Sequence, residues 1–334
     1  MRGRIVTVKR ILGSVVQMRK KKELTPELRP KRTFAETLKD QVGYYLMILP
    51  AVVCFLIFSY GPMIGIYMAF TDYKPVKGVF GSKWVGLTHF RKFFSSLDFT
   101  RVFRNTLMYN ILRIALVNIL AGVIFALLLY EIRARVANKI YQTCMLLPAF
   151  LSWTVISAAL LIFLNPDSGI VNNFLKSVGM KPISWYRESK YWPVIILLCY
   201  IIKDAGMASI YFYAALLSID MEQFDAAQLD GANRLQQIWN ISIPAMSKVL
   251  CITLITQLGS VLTTGMAPFY ELTFNQPQLY ETTEVLGIYI YNGLGGGRYS
   301  FMTAVGLVQS LIGLILVLTS NGIVKRIDSD SAMF

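Results

Sequence analysis

Six polar side chains recur at steps of three and four residues within one otherwise apolar stretch in the second half of the chain. They are Thr253, Thr256, Gln257, Ser260, Thr263 and Thr264. Such steps place side chains on one face of a helix. An amide offers a donor and an acceptor to a ligand hydroxyl group, so Gln257 is the strongest candidate for contacting a polar solute. The alternative is polar packing between helices, where Ser and Thr are common.

A second apolar stretch contains the adjacent opposite charges Lys203 and Asp204, followed by Ser209, Tyr211 and Tyr213. Ionisable groups inside a membrane-spanning segment are costly and face the bundle interior, a partner or water. They predict either a solute path or a structural ion pair, which could involve another subunit. The tyrosine rings could stack on a sugar ring, although membrane tyrosines more commonly pack or lie at the interface. Weaker candidates in two further apolar stretches are Asn118, Ser152, Trp153 and Thr154.

Residues for catalysis or metal binding are sparse. His89 is the single histidine, and it lies away from any candidate nucleophile. The sequence has no HExxH, CxxC or paired-carboxylate motif, and its four cysteines fall within apolar runs. The Gly-rich run Gly293–Gly297 lacks the spacing of a phosphate loop. We therefore expect no enzyme activity, cofactor or metal in this chain; any ATP and Mg²⁺ would be bound by a partner.

The composition indicates a polytopic membrane protein. Of the 334 residues 55% are hydrophobic, and the mean hydropathy is +0.51. The net charge of +14 is explained by lysines and arginines that set topology and contact anionic lipids. A nucleic-acid partner would need a soluble basic domain with a motif, and the sequence contains none.

The sequence predicts an all-α membrane protein with six spans. Each apolar run is long enough to cross a hydrocarbon core about 30 Å thick. The Gly61-Pro62 pair predicts a kink or an extension in the first span. The predicted spans are Val42–Phe70, Phe103–Tyr130, Ile140–Leu164, Trp192–Leu217, Val249–Tyr270 and Ser300–Val324.

The distribution of lysine and arginine predicts that both termini are cytoplasmic. The basic segment that starts at Met1 has no apolar core of the kind found in a signal peptide, so we expect a cytoplasmic tail resting on anionic lipid. The predicted organisation is a tail at 1–41, a membrane domain at 42–326 with a cytoplasmic loop at 218–247, and a C-terminal tail at 327–334.

The loop contains the polar stretch from Asp220 to Pro244, for which the pattern predicts two short capped helices. Asp220 and Gln223 have capping-box spacing, and Asn233 and Gln236 repeat it. Gly231 interrupts the pattern as a helix end or bend would require. Pro244 is expected to end or kink the second helix, because proline lacks a backbone N–H. A capped helix pair between two spans is suited to docking on another protein.

This stretch resembles the EAA motif of ABC-importer permeases. Its matching residues are Asp225, Ala226, Ala227, Gly231, Ile241, Ile243 and Pro244. Asp225 stands where the motif has Glu, and Ile243 where it has Leu. The chain from about Val42 to Arg326 is also similar to the LplB-type branch of carbohydrate-importer permeases. Lys203-Asp204-Ala205-Gly206, Gly169 to Gly179, and Tyr299-Ser300 to Arg326 contribute to that likeness.

The resemblance implies the type I importer fold, in which two homologous permeases form an alternating-access cavity. It also implies two ATP-binding-cassette ATPases at the EAA-like loop, an extracytoplasmic solute-binding protein and a bacterial plasma-membrane location. The implied substrates are oligosaccharides from polysaccharide breakdown, including uronate-rich ones such as alginate or pectin fragments. The main rival is an ion-coupled secondary transporter of a small solute. It would need carboxylate side chains within the membrane, and Asp204 is the only clear candidate in the sequence. A membrane enzyme and a scaffold without transport are two further rivals.

Overall fold

The computed structural model describes residues 41–259, 261–262 and 265–327. The predicted N-terminal tail, apart from residue 41, and the predicted C-terminal tail, apart from residue 327, lie outside this part. The chain divides between Ile64 and Gly65 into two compact units. Within the described residues the protein is helical apart from turns, loops and one antiparallel ribbon of β1 (Thr71–Asp72) and β2 (Lys83–Trp84).

The first candidate span is Val42–Phe70, as predicted. It begins with α1 (Val42–Phe55), which is followed by a π-helical turn at Leu56–Tyr60 and a 3₁₀ helix at Gly61–Phe70. The change of helix type falls at the Gly61-Pro62 pair. Proline cannot donate the backbone hydrogen bond that a regular helix needs, so a change in helical geometry at this position is expected.

The second candidate span, Leu97–Glu131, contains a long π-helical section. After α2 (Thr88–Phe94), it is built from α3 (Leu97–Leu112), a π helix at Arg113–Ala121 and α4 (Gly122–Glu131). Ser96 caps α3 by accepting a hydrogen bond from the backbone N–H of Phe99 at 3.2 Å. The hydropathy pattern predicted the span but not this section.

The third span is broken, whereas the sequence predicted one helix over Ile140–Leu164. α5 (Arg135–Leu146) ends in a 3₁₀ turn at Leu147–Phe150, and α6 (Trp153–Leu164) leaves at 95° to it. Pro148 lies in the 3₁₀ turn, and Ser152 caps α6 by accepting from the backbone N–H of Val155. A proline followed by a new N-cap explains the break within an apolar run.

The fourth span and the loop that follows it agree closely with the predicted pattern. After α7 (Ile170–Ser177), α8 (Trp192–Leu217) forms most of the candidate span Ser189–Leu217. The loop holds α9 (Met221–Leu229) and α10 (Arg234–Gln237), the two short helices expected there.

Of the two effects expected at Pro244, an end of the second loop helix is contradicted, whereas the helical geometry does change just before this residue. The helix continues through a π-helical turn at Ile238–Ser242 into α11 (Ile243–Gly259), and the candidate span is Arg234–Leu258. Proline needs no acceptor one turn back, so a wider turn just before it can accommodate the missing hydrogen bond without ending the helix.

The fifth predicted span, Val249–Tyr270, is likewise not one helix. α11 ends at Gly259, and α12 (Met266–Thr273) begins after Gly265. Glycines at both edges of the interruption lower the helical propensity that the apolar composition would otherwise support. The last helices are α13 (Tyr280–Thr283), α14 (Leu286–Gly295) and α15 (Tyr299–Ile327).

The core of the second unit forms where α3, α8 and the segments from α12 to α14 meet. Its most buried large side chains include Tyr109, Trp192 and Phe269. Near one end, Arg101 donates to Glu284 at 2.6 Å, and Thr106 accepts from the backbone N–H of Leu286. Burial raises the pKa of Glu284, although the Arg101 guanidinium opposes this shift.

The predicted fold class is confirmed by the helix content and lengths. Within the described residues, five helices are long and apolar enough to cross a membrane, and the bent pair formed by α5 and α6 makes six.

Candidate functional site

A cavity of about 220 Å³ lies where the second span, α8 and α11 meet. A second cavity of about 360 Å³ extends along α11 and shares three lining residues with the first. The shared residues are Tyr211, Thr253 and Gln257. The smaller cavity is also lined by Arg113, Asn118, Asp204, Met207 and Ala208, and the larger one by Val249, Ile252 and Thr256.

The π-helical section of the second span brings Arg113 and Asn118 to the same cavity. In an α-helix, residues five apart are rotated by about 140° and face different directions. In a π-helix the hydrogen bonds close over five residues, so each turn is wider and the angle between residues i and i+5 is smaller than in an α-helix. The unusual backbone geometry therefore decides which side chains the cavity receives from this span.

Helix α8 contributes one face to the cavity and turns its neighbouring lysine elsewhere. Asp204, Ala208 and Tyr211 are separated by four and three residues, which places them on one helical face. Lys203 is rotated away from that face. Its ammonium donates to the carbonyl oxygen of Ala149 at 2.8 Å and to that of Leu151, at the break between α5 and α6.

Within the described residues, Lys203 and Asp204 do not form the structural ion pair that was one interpretation of them, and a pair with another subunit stays a prediction. Among the described ion pairs, whose charged atoms lie within 4.0 Å, none includes either residue. The Lys203 ammonium also lies 5.5 Å from the ring centroid of Trp153. Lys203 and Trp153 thus belong to the break in the third span rather than to the cavity lining.

Helix α11 contributes part of the predicted polar face. Thr253 and Gln257 line both cavities and Thr256 lines the larger one, with its hydroxyl donating to the carbonyl oxygen of Ile252 at 2.8 Å. Because α11 ends at Gly259, the predicted single face through Thr264 does not exist as one continuous helix. Ser260, Thr263 and Thr264 lie outside the described residues.

Arg113 is the cavity residue that the sequence did not single out. Its guanidinium donates to Oε1 of Gln257 at 3.1 Å and lies 5.8 Å from the ring centroid of Tyr200. The signal that could have identified it was an arginine inside an apolar span, because charged side chains there are costly and usually functional. Tyr213, by contrast, bonds Asn138 and lines neither cavity.

The loop from Asp220 to Pro244 is a second, separate surface. Asp220 caps α9 by accepting from the backbone N–H of Glu222 at 3.1 Å, without the reciprocal bond expected from Gln223. Asn233 and Gln236 form the predicted capping box, with hydrogen bonds of 2.9 and 2.7 Å. Gly231 has a φ of +79°, the left-handed conformation that favours glycine. The capped pair is thus confirmed locally.

The loop is anchored on one side and exposed on the other. Phe224 is buried, with its ring centroid 6.0 Å from that of Tyr130, while Asp225 and Ala226 are exposed. Ile241 is half-buried and Pro244 exposed. Large apolar side chains remain in solvent beside the motif, with Leu229 90% and Trp239 67% exposed. Exposed apolar side chains on an otherwise polar loop offer a surface on which another protein can dock.

The described residues contain no cluster of three or more His, Cys, Asp or Glu side chains placed to hold a metal ion. The two surfaces that emerge are a cavity between candidate spans, suited to a polar solute, and the exposed loop from Asp220 to Pro244, suited to a protein partner.

Residues 118–331 match the family model of the binding-protein-dependent transport system inner membrane component. The chain belongs to this family. It is 37% identical over 294 residues to protein LplB of Bacillus subtilis (strain 168), covering 88% of this permease and 92% of LplB. It is 36% identical over 290 residues to the polygalacturonan/rhamnogalacturonan transport system permease protein YteP of the same strain, covering 86% and 89% of the two chains.

Two solved structures share the fold of this permease. One is a bacterial ABC transporter involved in the import of the acidic polysaccharide alginate, with a TM-score of 0.79, 34% identity, and coverage of 87% of this permease and 98% of that chain. The other is a bacterial alginate ABC transporter in complex with an alginate pentasaccharide-bound periplasmic protein. Its TM-score is 0.80 at 33% identity, covering 89% and 98% of the two chains.

The comparisons confirm the family and the fold that the sequence predicted. The chain is a membrane-spanning permease of the ABC-importer class related to sugar permeases, with the type I fold. They do not favour an ion-coupled secondary transporter.

Proposed function

We propose that this permease forms half of the membrane pathway through which an oligosaccharide released from an acidic polysaccharide enters the cell. A second, homologous permease completes the pathway, and an extracytoplasmic solute-binding protein delivers the saccharide. Two ATP-binding-cassette ATPases bind the ATP and Mg²⁺ and carry out hydrolysis. The substrate class is supported by the relatives, one concerned with polygalacturonan and rhamnogalacturonan and another with alginate.

The observation that carries the proposal is the exposed, capped loop around Asp225. Its Asp-Ala-Ala sequence, left-handed Gly231 and exposed apolar neighbours combine on one short helix pair. We propose that Asp225, Ala226, Ala227, Gly231, Ile241 and Pro244 form the contact with the ATPase. ATP binding closes the ATPases, the docked loops move with them, and the spans change from inward-facing to outward-facing. In this arrangement the loop and both termini are cytoplasmic.

The two adjoining cavities form the proposed path for the saccharide. Gln257, Thr256, Tyr211, Asp204 and Asn118 contribute to its lining, and Ser260 and Thr264 remain proposed members. Lys203, Tyr213 and Trp153 support the surrounding helices instead. Amide, hydroxyl and carboxylate groups can exchange hydrogen bonds with sugar hydroxyls, and the exposed Tyr211 ring offers an apolar face.

The test is ATP hydrolysis by the reconstituted transporter. The permease, its homologous partner and the ATPases are placed in liposomes with a binding protein, either empty or loaded with oligogalacturonate or oligoalginate. We expect stimulation of hydrolysis only by the loaded binding protein. Uptake driven by an ion gradient without ATP would contradict the proposal.

Gly231 provides a sharper test of the docking role. The left-handed backbone disfavours a β-branched residue strongly, whereas Asn tolerates it. Gly231→Val is expected to abolish saccharide-stimulated hydrolysis while leaving the permease inserted, and Gly231→Asn should retain most of it. Wild-type coupling in Gly231→Val, measured in the same liposomes, would exclude the docking role.

A further inference from the structure

The smaller cavity contains two opposite charges that do not neutralise each other directly. Arg113 and Asp204 both line it, yet no described ion pair joins them within 4.0 Å. Lys203, the residue next to Asp204, forms no described ion pair with it, and its ammonium instead bonds the carbonyl oxygens of Ala149 and Leu151. Unpaired charges within a membrane protein are costly, and they mark places where a ligand or ion is handled.

Two hydrogen-bond donors of residues that line this cavity have no described acceptor. The Nε of Arg113 and the Nδ2 of Asn118 are buried without a hydrogen-bond partner in the described structure. Asn118 is only 5% exposed. A buried donor left unpaired costs about 1–3 kcal/mol, so two at one cavity indicate that an acceptor-rich group belongs there.

We propose that Arg113, with Asn118, forms the binding site for a sugar carboxylate, and that Asp204 accepts hydrogen bonds from hydroxyls of the same uronate ring. Arginine donates in a planar fork that matches a carboxylate. A uronate carries both the anion that Arg113 needs and the hydroxyl donors that Asp204 needs. Tyr211, 60% exposed, offers its ring to the apolar face of the sugar.

A neutral sugar would satisfy Asp204 but leave the Arg113 charge unpaired, so the same site selects acidic over neutral saccharides. This inference rests on the proposed function and identifies the residues that recognise the negative charge of the substrate. The larger cavity shares the lining residues Tyr211, Thr253 and Gln257 with the smaller one, and it has room for further rings of the saccharide.

The experiment measures saccharide binding to the complete transporter in detergent, without the binding protein, so that the selectivity of that protein does not contribute. Binding is followed by thermal stabilisation of the complex, which grows with ligand concentration over Kd. The ligands are trigalacturonate and its fully methyl-esterified form, which keeps the rings and hydroxyls but removes the charge. We expect the free acid to bind about tenfold or more tightly, the effect of one charge-assisted contact.

Arg113→Gln should abolish the preference for the acid, and Arg113→Lys should retain part of it because the charge remains without the fork. Asp204→Asn tests the role of the negative charge in the cavity. It should weaken binding of both ligands while keeping the acid preference at least as large as in the wild type, because a repelling charge has been removed. Arg104→Gln is the matched control, since Arg104 lies on the same span, is exposed and lines neither cavity.

The inference is overturned by an acid preference that survives Arg113→Gln, by an equal loss in Arg104→Gln, or by a wild-type transporter that binds neither ligand. If Arg113→Gln does not fold, the Asp204→Asn variant still tests the inference, because loss of the acid preference in that variant would overturn it. Failure of the proposed function has a different signature. In that case no loaded binding protein stimulates ATP hydrolysis by the wild type, whatever the Arg113 variants do.

Discussion

Two helices of this permease are interrupted, and each interruption is held by a side chain from another span. The break between α5 and α6 is held by Lys203 of α8, which donates to the carbonyl oxygens of Ala149 and Leu151. The interruption after α11 is held by Gln309 of α15, which donates to the carbonyl oxygen of Leu262. Backbone carbonyls freed in a membrane must find donors, because lipid provides none.

The two interruptions differ in the strength of the group that holds them. Lys203 is a cation that bonds two carbonyls and lies beside the Trp153 ring, whereas Gln309 is a neutral amide with one described bond. Charge-assisted hydrogen bonds are about twice as strong as neutral ones. We infer that the first break is the more rigid of the two and that the second is more easily rearranged.

Lys203→Met should have the largest effect, since it keeps the length of the side chain but removes both hydrogen bonds to the carbonyl groups of Ala149 and Leu151. We expect a loss of about 3 kcal/mol in the free energy of unfolding, from the loss of two hydrogen bonds donated by a charged group. The measurement is unfolding of the purified transporter in detergent, with Lys203→Arg as the control that keeps the charge. An unchanged stability in Lys203→Met would show that the break does not depend on this lysine.

Gly206→Ala should have the next largest effect, because it tests how closely α8 approaches the first break. A Cβ at Gly206 would collide with the backbone carbonyl of Met145, which cannot move aside as a flexible side chain could. A loss of about 1–3 kcal/mol is expected for such overpacking. Gly265→Ala is the matched control at the second interruption, where a Cβ would meet nothing within 4 Å. Equal effects of the two substitutions would contradict the difference between the breaks.

The same contrast explains what the sequence could predict. Helix caps and the left-handed Gly231 are set by residues within one or two turns, so the two capped helices between Asp220 and Gln237 were predictable, whereas the continuous helix through Pro244 was not. The breaks were not, because each depends on a donor distant in sequence: Lys203 is more than 50 residues from the carbonyls that it bonds. An apolar run alone does not reveal that a neighbouring helix can satisfy its interruption.

The cavity shows the same limit at the level of single residues. Asn118, Asp204, Tyr211 and Gln257 were predicted as solute contacts from their polarity within spans, and the structure gathers them at one cavity. Arg113 was not singled out, although its charge inside a span was a signal; that it lines the same cavity as Asn118 depends on the π-helical section, which the sequence did not predict. Whether these residues contact the saccharide remains a prediction.

Gln309→Leu should have a smaller effect than either change at the first break. It removes one neutral hydrogen bond to Leu262, and interhelical bonds of this kind contribute about 0.6–2 kcal/mol in membranes. We expect a loss of about 1 kcal/mol in the free energy of unfolding, measured as for Lys203→Met, with Gln309→Asn as a variant that retains the amide on a shorter stem. A loss as large as that of Lys203→Met would remove the distinction between a fixed and an adjustable interruption.

The smallest expected effect is the coupling between the two interruptions. Lys203 and Gln309 lie on different helices and bond different carbonyls, and no described hydrogen bond is shared between them. Independent sites add within about 0.3–0.5 kcal/mol, so the double variant Lys203→Met/Gln309→Leu should lose the sum of the two single losses within that margin. A double-mutant cycle of unfolding free energies measures the difference. A coupling above about 1 kcal/mol would mean that the two interruptions move as one unit, and that rearranging the second requires the first to open as well.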